Sequence, residues 1–415
     1  MKFLKSALLI LLIAAMVLPF SACSGSSDKI ELNFQRLGND EAEKQFWLEV
    51  IAEYESTHEN VKINYDDAAI GDAMDIKLTS GFTSNSGPDI IGHGLLSIAS
   101  RAEAGQYLPI TEYYNNWADK ADLMKGLVEQ GSYKGELYGI AYMPTPYVFA
   151  YRTDLLKEAG YDRPPETWDE LVEYAKKLTV VEDGRIVRAG FAFPTSGGNM
   201  VEYDMLAFSN GGTMADANGN PTLNSEANVE ALDYLTSFIS EVSIPYNNNE
   251  TNPFMVGNAA MTFIDNVKLS PMFSDPEYKD KIAIAMPPHN DGQPSMTFSG
   301  CRFLFIGKDC KNPEAAFDFI AFAASKSVVL KRCQDLTVPV VLNSLVGDYA
   351  SMGEYNDVRA QCVANGIGMP VTTWSTMFQT VRNELVQEAM NGGDPRTVLN
   401  NAQEKLEQEI KNAAK

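Results

Sequence analysis

Histidine and positive charge are both scarce in this 415-residue chain, which has three His and 33 Lys plus Arg against 55 Asp plus Glu, for a formal net charge of -22. The shortage of Lys and Arg argues against sequence-independent nucleic-acid binding, which works by displacing condensed counterions from phosphates. It equally disfavours an electrostatic grip on anionic lipid. His58, His93 and His289 are not spaced to complete a zinc site, and no C-x-x-C pair exists, so no metal or cofactor is expected. Enzyme signatures are missing as well: there is no G-x-S-x-G elbow, no G-x-x-x-x-G-K-[ST] loop, no H-E-x-x-H and no G-x-G-x-x-G after a strand. Gly92-His93-Gly94 lacks the third glycine of a dinucleotide turn. Asp216 to Asn220 has the acids and amides of a calcium loop, but Pro221 stands where that loop needs glycine, so it reads as an ordinary turn. Carboxylates are too numerous for a glycosidase pair to be picked out by composition.

What is present is material for large cores. The chain is 45% hydrophobic, with 20 Phe, 18 Tyr and 4 Trp, and its length points to at least two domains, since single cores stop growing at roughly 250–300 residues. The N-terminus reads as a secretory signal over 1–22: Lys2 and Lys5, a wholly apolar run from Ala7 to Leu18, then small residues before Cys23. The run is too short for a spanning helix, which needs about 20 residues. Leu18-Pro19-Phe20-Ser21-Ala22-Cys23 resembles a bacterial lipobox, which implies a lipidated Cys23, exposure on the outer face of the cell membrane and a short tether over 23–29. Losing the leader leaves 31 basic against 55 acidic side chains, a net -24. Cys301, Cys310, Cys333 and Cys362 remain, either as buried thiols or in one of three complete disulfide pairings.

From Ile30 onward strands and helices alternate, the pattern of an α/β protein whose parallel strands aim their end loops at a common crevice. Ile30–Phe34, Val61–Tyr65 and Pro88–Ile91 read as strands, with helices over Glu41–Glu55 and Ala73–Thr79. A second region from Tyr147 carries a strong helix over Trp168–Leu178, with Thr167 as its cap and Glu170 three residues on. Arg188–Phe193, Ile282–Met286 and Arg302–Ile306 read as further strands, and Asn228–Val242, Pro313–Ser325, Ser375–Met390 and Asp394–Lys411 as helices. Polar and aromatic residues gather at the strand ends: Arg36, Asn39, His93, Tyr147, Arg152, Asp204, Asp265, Arg302 and Trp374. Such a mixture suits a sugar, whose ring faces stack on aromatics while its hydroxyls need donors and acceptors. Each residue also has an ordinary structural role open to it, Arg302 as a partner for one of the many acids.

Four segments in order resemble the bacterial extracellular solute-binding proteins of the maltose-binding type, the capture subunits of ABC importers. They are GPDII (87–91) with AGQYLPI (104–110), the stretch from Leu137 to Thr179, FMVGNAAMTFI (254–264) and KNPEAAFDFIAF (311–322). The resemblance implies two α/β lobes joined by two or three crossing hinge segments near residues 145, 279 and 324. Lobe 1 would comprise 30–145 plus 279–324, and lobe 2 would comprise 146–278 plus 325–415. It also implies a non-enzymatic protein that closes around a small-molecule solute, a carbohydrate such as an oligosaccharide or glycoside, with ABC permease subunits as partners and the membrane met through the lipid anchor alone; nothing in the sequence points to oligomerisation, so a monomer is expected. Arg36, Asn39, His93, Tyr147, Asp204, Asp265 and Trp374 are the residues placed at the solute, with Tyr147 and Trp374 as stacking faces. The sequence departs from the family pattern at Ile264-Asp265-Asn266-Val267, where many members carry Gly and Trp. This leaves a polyamine or other cationic solute open as cargo, and, from another class, a surface enzyme acting on glycans.

Overall fold

A computed structural model describes residues 29–68 and 72–413; the signal segment and Cys23 lie outside the described residues. Strands Ile30–Leu37, Val61–Ala68 and Ile90–Gly94 lie parallel, with the first in the middle. The helix Glu41–Thr57 returns the chain between the first two; Asp40 caps it by accepting from the Glu43 amide at 2.8 Å, and Phe46, Trp47, Val50, Ile51 and Tyr54 form its buried face. That spacing puts one apolar stripe against the sheet.

The two lobes are linked by one long strand, Gly139–Arg152. Its first part runs antiparallel to Thr297–Ile306, from Gly139 opposite Phe305 to Pro146 opposite Ser299. Its second part, from Tyr147, pairs instead with Met261–Asp265 and with Ile282–Ala285. Pro144 and Pro146, which have no N–H for a ladder, stand at this change of partner.

Register then decides where the strand ends point. Gly94 faces Arg302 and Ile90 faces Ile306, so the parallel strands of the first lobe run their C-terminal ends toward the crossing. In the second lobe Tyr147 lies opposite Asp265, the last residue of its strand, so that strand also ends at the crossing. Isolated parallel bridges from Ala189 to Ala259 and from Ala192 to Thr262 bring a third segment to the same place. Arg188–Phe193 is therefore held by bridges and not by a full ladder, because Arg185–Arg188 folds back on Val180–Glu182 as a hairpin.

Later segments also pass between the two sides of this long strand. Ile282–Ala285 pairs with Phe149–Arg152 of the second lobe, so the return to the first lobe comes at the start of Thr297–Ile306. The helix Lys326–Leu336 still packs on the first lobe: Lys331 meets Glu49 at 2.9 Å, and the Arg332 guanidinium lies over the rings of Phe46, Trp47 and Tyr142. The final crossing falls between Ser344, bonded to Asp122, and Arg359, bonded to Asn266 of the second lobe at 2.7 Å. The helices Ser375–Met390 and Pro395–Ala413 then pack on Glu226–Val242. Thr167 caps Trp168–Leu178 as its sequence implies, and the Glu170 carboxylate accepts from the Glu166 amide at 2.8 Å. All four cysteines among the described residues are free, Cys301, Cys333 and Cys362 buried and Cys310 partly so. Asp216 Oδ1 accepts from the amides of Asn218 and Asn220 at 2.8 Å each, which makes that loop a turn closed by its own aspartate.

Candidate functional site

On the first-lobe side of the crossing, charge is assembled and paired. Arg36, at the end of the first strand, is 0% exposed. Its Nε donates to the Tyr65 hydroxyl at 2.8 Å, Nη2 to Asp67 Oδ1 at 2.8 Å, and Nη1 lies 2.5 Å from Glu43 Oε2. The same Glu43 oxygen accepts from Arg302 Nη1 at 2.9 Å, so one carboxylate bridges two guanidiniums. Two glycines make room for this. A Cβ on Gly38, whose φ is 147°, would sit 2.5 Å from Arg36 Nη1, and one on Gly92 would sit 2.9 Å from Arg36 Cγ.

His93 stands at the end of the third strand and is 8% exposed. Its Nδ1 accepts from the Gly94 amide at 2.8 Å, which leaves Nε2 as the protonated nitrogen, 3.6 Å from Asp75 Oδ1. Asp75 also accepts from Arg101, and with His93 and Arg101 beside it the carboxyl is held at about 2 against the opposing effect of burial. Asn39 is exposed in the loop after the first strand, its side chain without a hydrogen bond among the described residues.

The second-lobe side differs. Tyr147, Glu202, Asn248, Glu250, Phe263, Asp265 and Lys268 are among the residues lining a recess of about 560 Å³ at the crossing. Asp265 caps the next turn, its Oδ1 accepting from the amides of Val267 at 2.7 Å and Lys268 at 3.2 Å. Burial pushes its carboxyl up, against the pull of those amides and of Lys268. Glu202 is 3% exposed, and its Oε2 has no hydrogen-bond partner among the described residues. Burial raises this carboxyl to about 7. The Tyr147 phenol, raised by burial and then by Glu202 and Asp265, receives one long hydrogen bond of 3.5 Å from Asn199.

Asp204 is not at the recess surface. It is 1% exposed and accepts from Arg382 Nη1 at 2.7 Å in a fully buried ion pair. Residues two apart on a helix do not share a face, so Glu202 and Asp204, both in Glu202–Phe208, face different surroundings. Trp374 is 5% exposed, donates its indole N–H to the Gly219 carbonyl at 3.0 Å and meets Phe378 edge-on, so its ring is covered in this structure.

Of the residues read from the sequence, Tyr147 and Asp265 share the recess; Arg36, Asn39 and His93 belong to the opposite side; Asp204 and Trp374 are packed inside the second lobe. Glu202, Glu43 and Arg382 were not read from the sequence. The signal for Glu202 was its place among apolar neighbours in Asn199–Met205, where an acid must be either paired or facing a cavity. No group of three or more His, Cys, Asp or Glu among the described residues is arranged to hold a metal ion.

Residues 38–329 match the family described as bacterial extracellular solute-binding protein. A probable ABC transporter-binding protein of Deinococcus radiodurans is 28% identical over 274 residues, which cover 61% of this chain and 64% of that relative, less than two thirds of its length. The cyclic alpha-maltosyl-1,6-maltose binding protein of Arthrobacter globiformis superposes with a TM-score of 0.81 at 18% identity, over 92% of this chain and 99% of the other. An ABC substrate-binding protein of Listeria monocytogenes in complex with cycloalternan gives 0.73 at 22% identity, again over 92% and 99%. At these identities the two structures speak for the fold, a two-lobed one.

Proposed function

Because the chain belongs to the bacterial extracellular solute-binding protein family, we propose that it captures a carbohydrate, an oligosaccharide or glycoside, between its lobes and hands it to the permease of an ABC importer. The observation that carries this reading is the convergence of strand ends. The two parts of one continuous sheet bring Arg302 and His93 from one side, and Tyr147 and Asp265 from the other, to strand positions at the crossing, and the helix Glu202–Phe208 adds Glu202 to the second side. Segments that cross between lobes are the ordinary means of hinge closure, and a solute touching both sides favours the closed form. The sugar-binding neighbours in Arthrobacter and Listeria support carbohydrate as the cargo. Among the described residues no helix is long and apolar enough to cross a membrane, and a lipid on Cys23 supplies the anchor in this reading.

A ligand bound by the native state alone raises thermal stability. A subset of oligosaccharides, neutral or amino-bearing, is expected to raise the melting temperature of the mature protein and to release or absorb heat in calorimetry; silence across the whole glycan panel would end the carbohydrate reading. Cys23→Ser is expected to move the protein from the membrane fraction to the medium or periplasm, and continued membrane retention would refute the anchor.

A further inference from the structure

The recess beside Tyr147 holds more negative than positive charge. Glu202, Glu250 and Asp265 line it, and Lys268 is the one basic side chain among its lining residues. Lys268 is exposed and forms no ion pair among the described residues. Arg382, whose field reaches Glu202, is already held by Asp204 at 2.7 Å. A carboxyl buried without a partner costs several kcal/mol when it ionises, so Glu202, at 3% exposure and raised to about 7, is held as the anion only when something supplies the missing donor and countercharge.

We propose that this recess receives a protonated amine of the captured solute, with Glu202 and Asp265 as its counter-ions. The assignment rests on the solute-capture reading and narrows it to a cargo bearing an ammonium group. The recess is rich in acceptors. Asp265 uses Oδ1 on two backbone amides and keeps Oδ2, while Asn248 uses its NH2 on the carbonyls of Gly198 and Asn199 at 3.1 Å each and keeps its oxygen. An ammonium brings three donors, no acceptor and a full positive charge. A sugar hydroxyl brings one donor and no charge, so it would leave the buried Glu202 uncompensated. Charge-assisted bonds are roughly twice as strong as neutral ones, which makes the amine the better fit. Two sources share this chemistry, an amino sugar and a simple polyamine.

The test is calorimetric titration of the mature protein at neutral pH with three probes: glucosamine oligomers, the matching N-acetylated oligomers, and spermidine. The expected result is that glucosamine oligomers bind about tenfold tighter than their N-acetylated counterparts, the equivalent of one charge-assisted contact, and that Glu202→Gln erases the difference. Equal binding of the acetylated and free-amine oligomers would overturn the amine site and leave carbohydrate capture standing. Binding of spermidine alone, lost in Glu202→Gln, would uphold the amine site and overturn carbohydrate as the cargo. No heat from any of the three would overturn the amine site, while the whole glycan panel judges capture separately. The comparison of acetylated with free-amine oligomers needs the wild-type protein only, so it holds even where the variant fails to fold.

Discussion

Glu43 in the first lobe and Glu202 in the second are buried alike, each 3% exposed, beside the same crossing. Glu43 Oε2 lies within 2.9 Å of both Arg36 and Arg302, and Arg36 in turn reaches Asp67 and Tyr65. Glu202 has no ion pair among the described residues, and burial alone dominates its titration. The contrast separates two uses of a buried acid. Each leaves one buried oxygen, Glu43 Oε1 and Glu202 Oε2, without a hydrogen bond among the described residues, so the difference lies in charge: Glu43 is balanced by two guanidiniums inside the protein, whereas Glu202 lines a recess with no ion-pair partner among the described residues. Charged groups in a folded protein are therefore informative about binding mainly where their pairing is left open.

The largest effect should come from breaking the balanced side. Glu43→Ala strands Arg36, at 0% exposure, with only Asp67 as counter-ion and releases Arg302; removing one partner of a buried network typically costs about 3–5 kcal/mol, read as a lower urea midpoint. A change below ~1 kcal/mol would show that the first side is no more than a surface-like ion pair.

Glu202→Gln should do the opposite. The folded state raises the Glu202 carboxyl from its ordinary 4.5 to about 7, so the native protein binds this proton more tightly than the unfolded chain does. Wild-type stability therefore falls as pH rises from about 4.5 to about 7, and the penalty is complete above that window. At one pKa unit per 1.36 kcal/mol, the Gln variant is expected to gain roughly 3 kcal/mol over wild type in mildly alkaline buffer and nothing in acid. Denaturation curves at both ends of the window decide this, and a difference between the proteins that does not change with pH would contradict it. Glu250, exposed on the recess rim, serves as the control: Glu250→Gln should shift stability by less than about 0.5 kcal/mol at either end.

Much of the architecture is legible in the sequence because it is local. The cap at Thr167 and the apolar stripes of Glu41–Thr57 and Glu226–Val242 are settled within a few residues of one another. Strand partners are less so. Ile282–Ala285 has the pattern of a strand in either lobe, and only its register against Phe149–Arg152 assigns it to the second. The resemblance to a family singled out Tyr147 and Asp265, which line one recess, but Trp374 carries the same aromatic signature whether its indole faces a sugar or, as here, the Gly219 carbonyl.

By itself, then, the chain's sequence determined an acidic α/β protein with its elements in the order of a two-lobed binding fold, because periodicity, capping and composition act over short range. Tertiary structure alone decided which buried acids are paired with a guanidinium. Glu43 lies 259 residues from Arg302, and Asp204 lies 178 from Arg382. Pairing depends on distance in space, and a carboxylate's solvation, partner and pKa come into being only when the chain has folded around it.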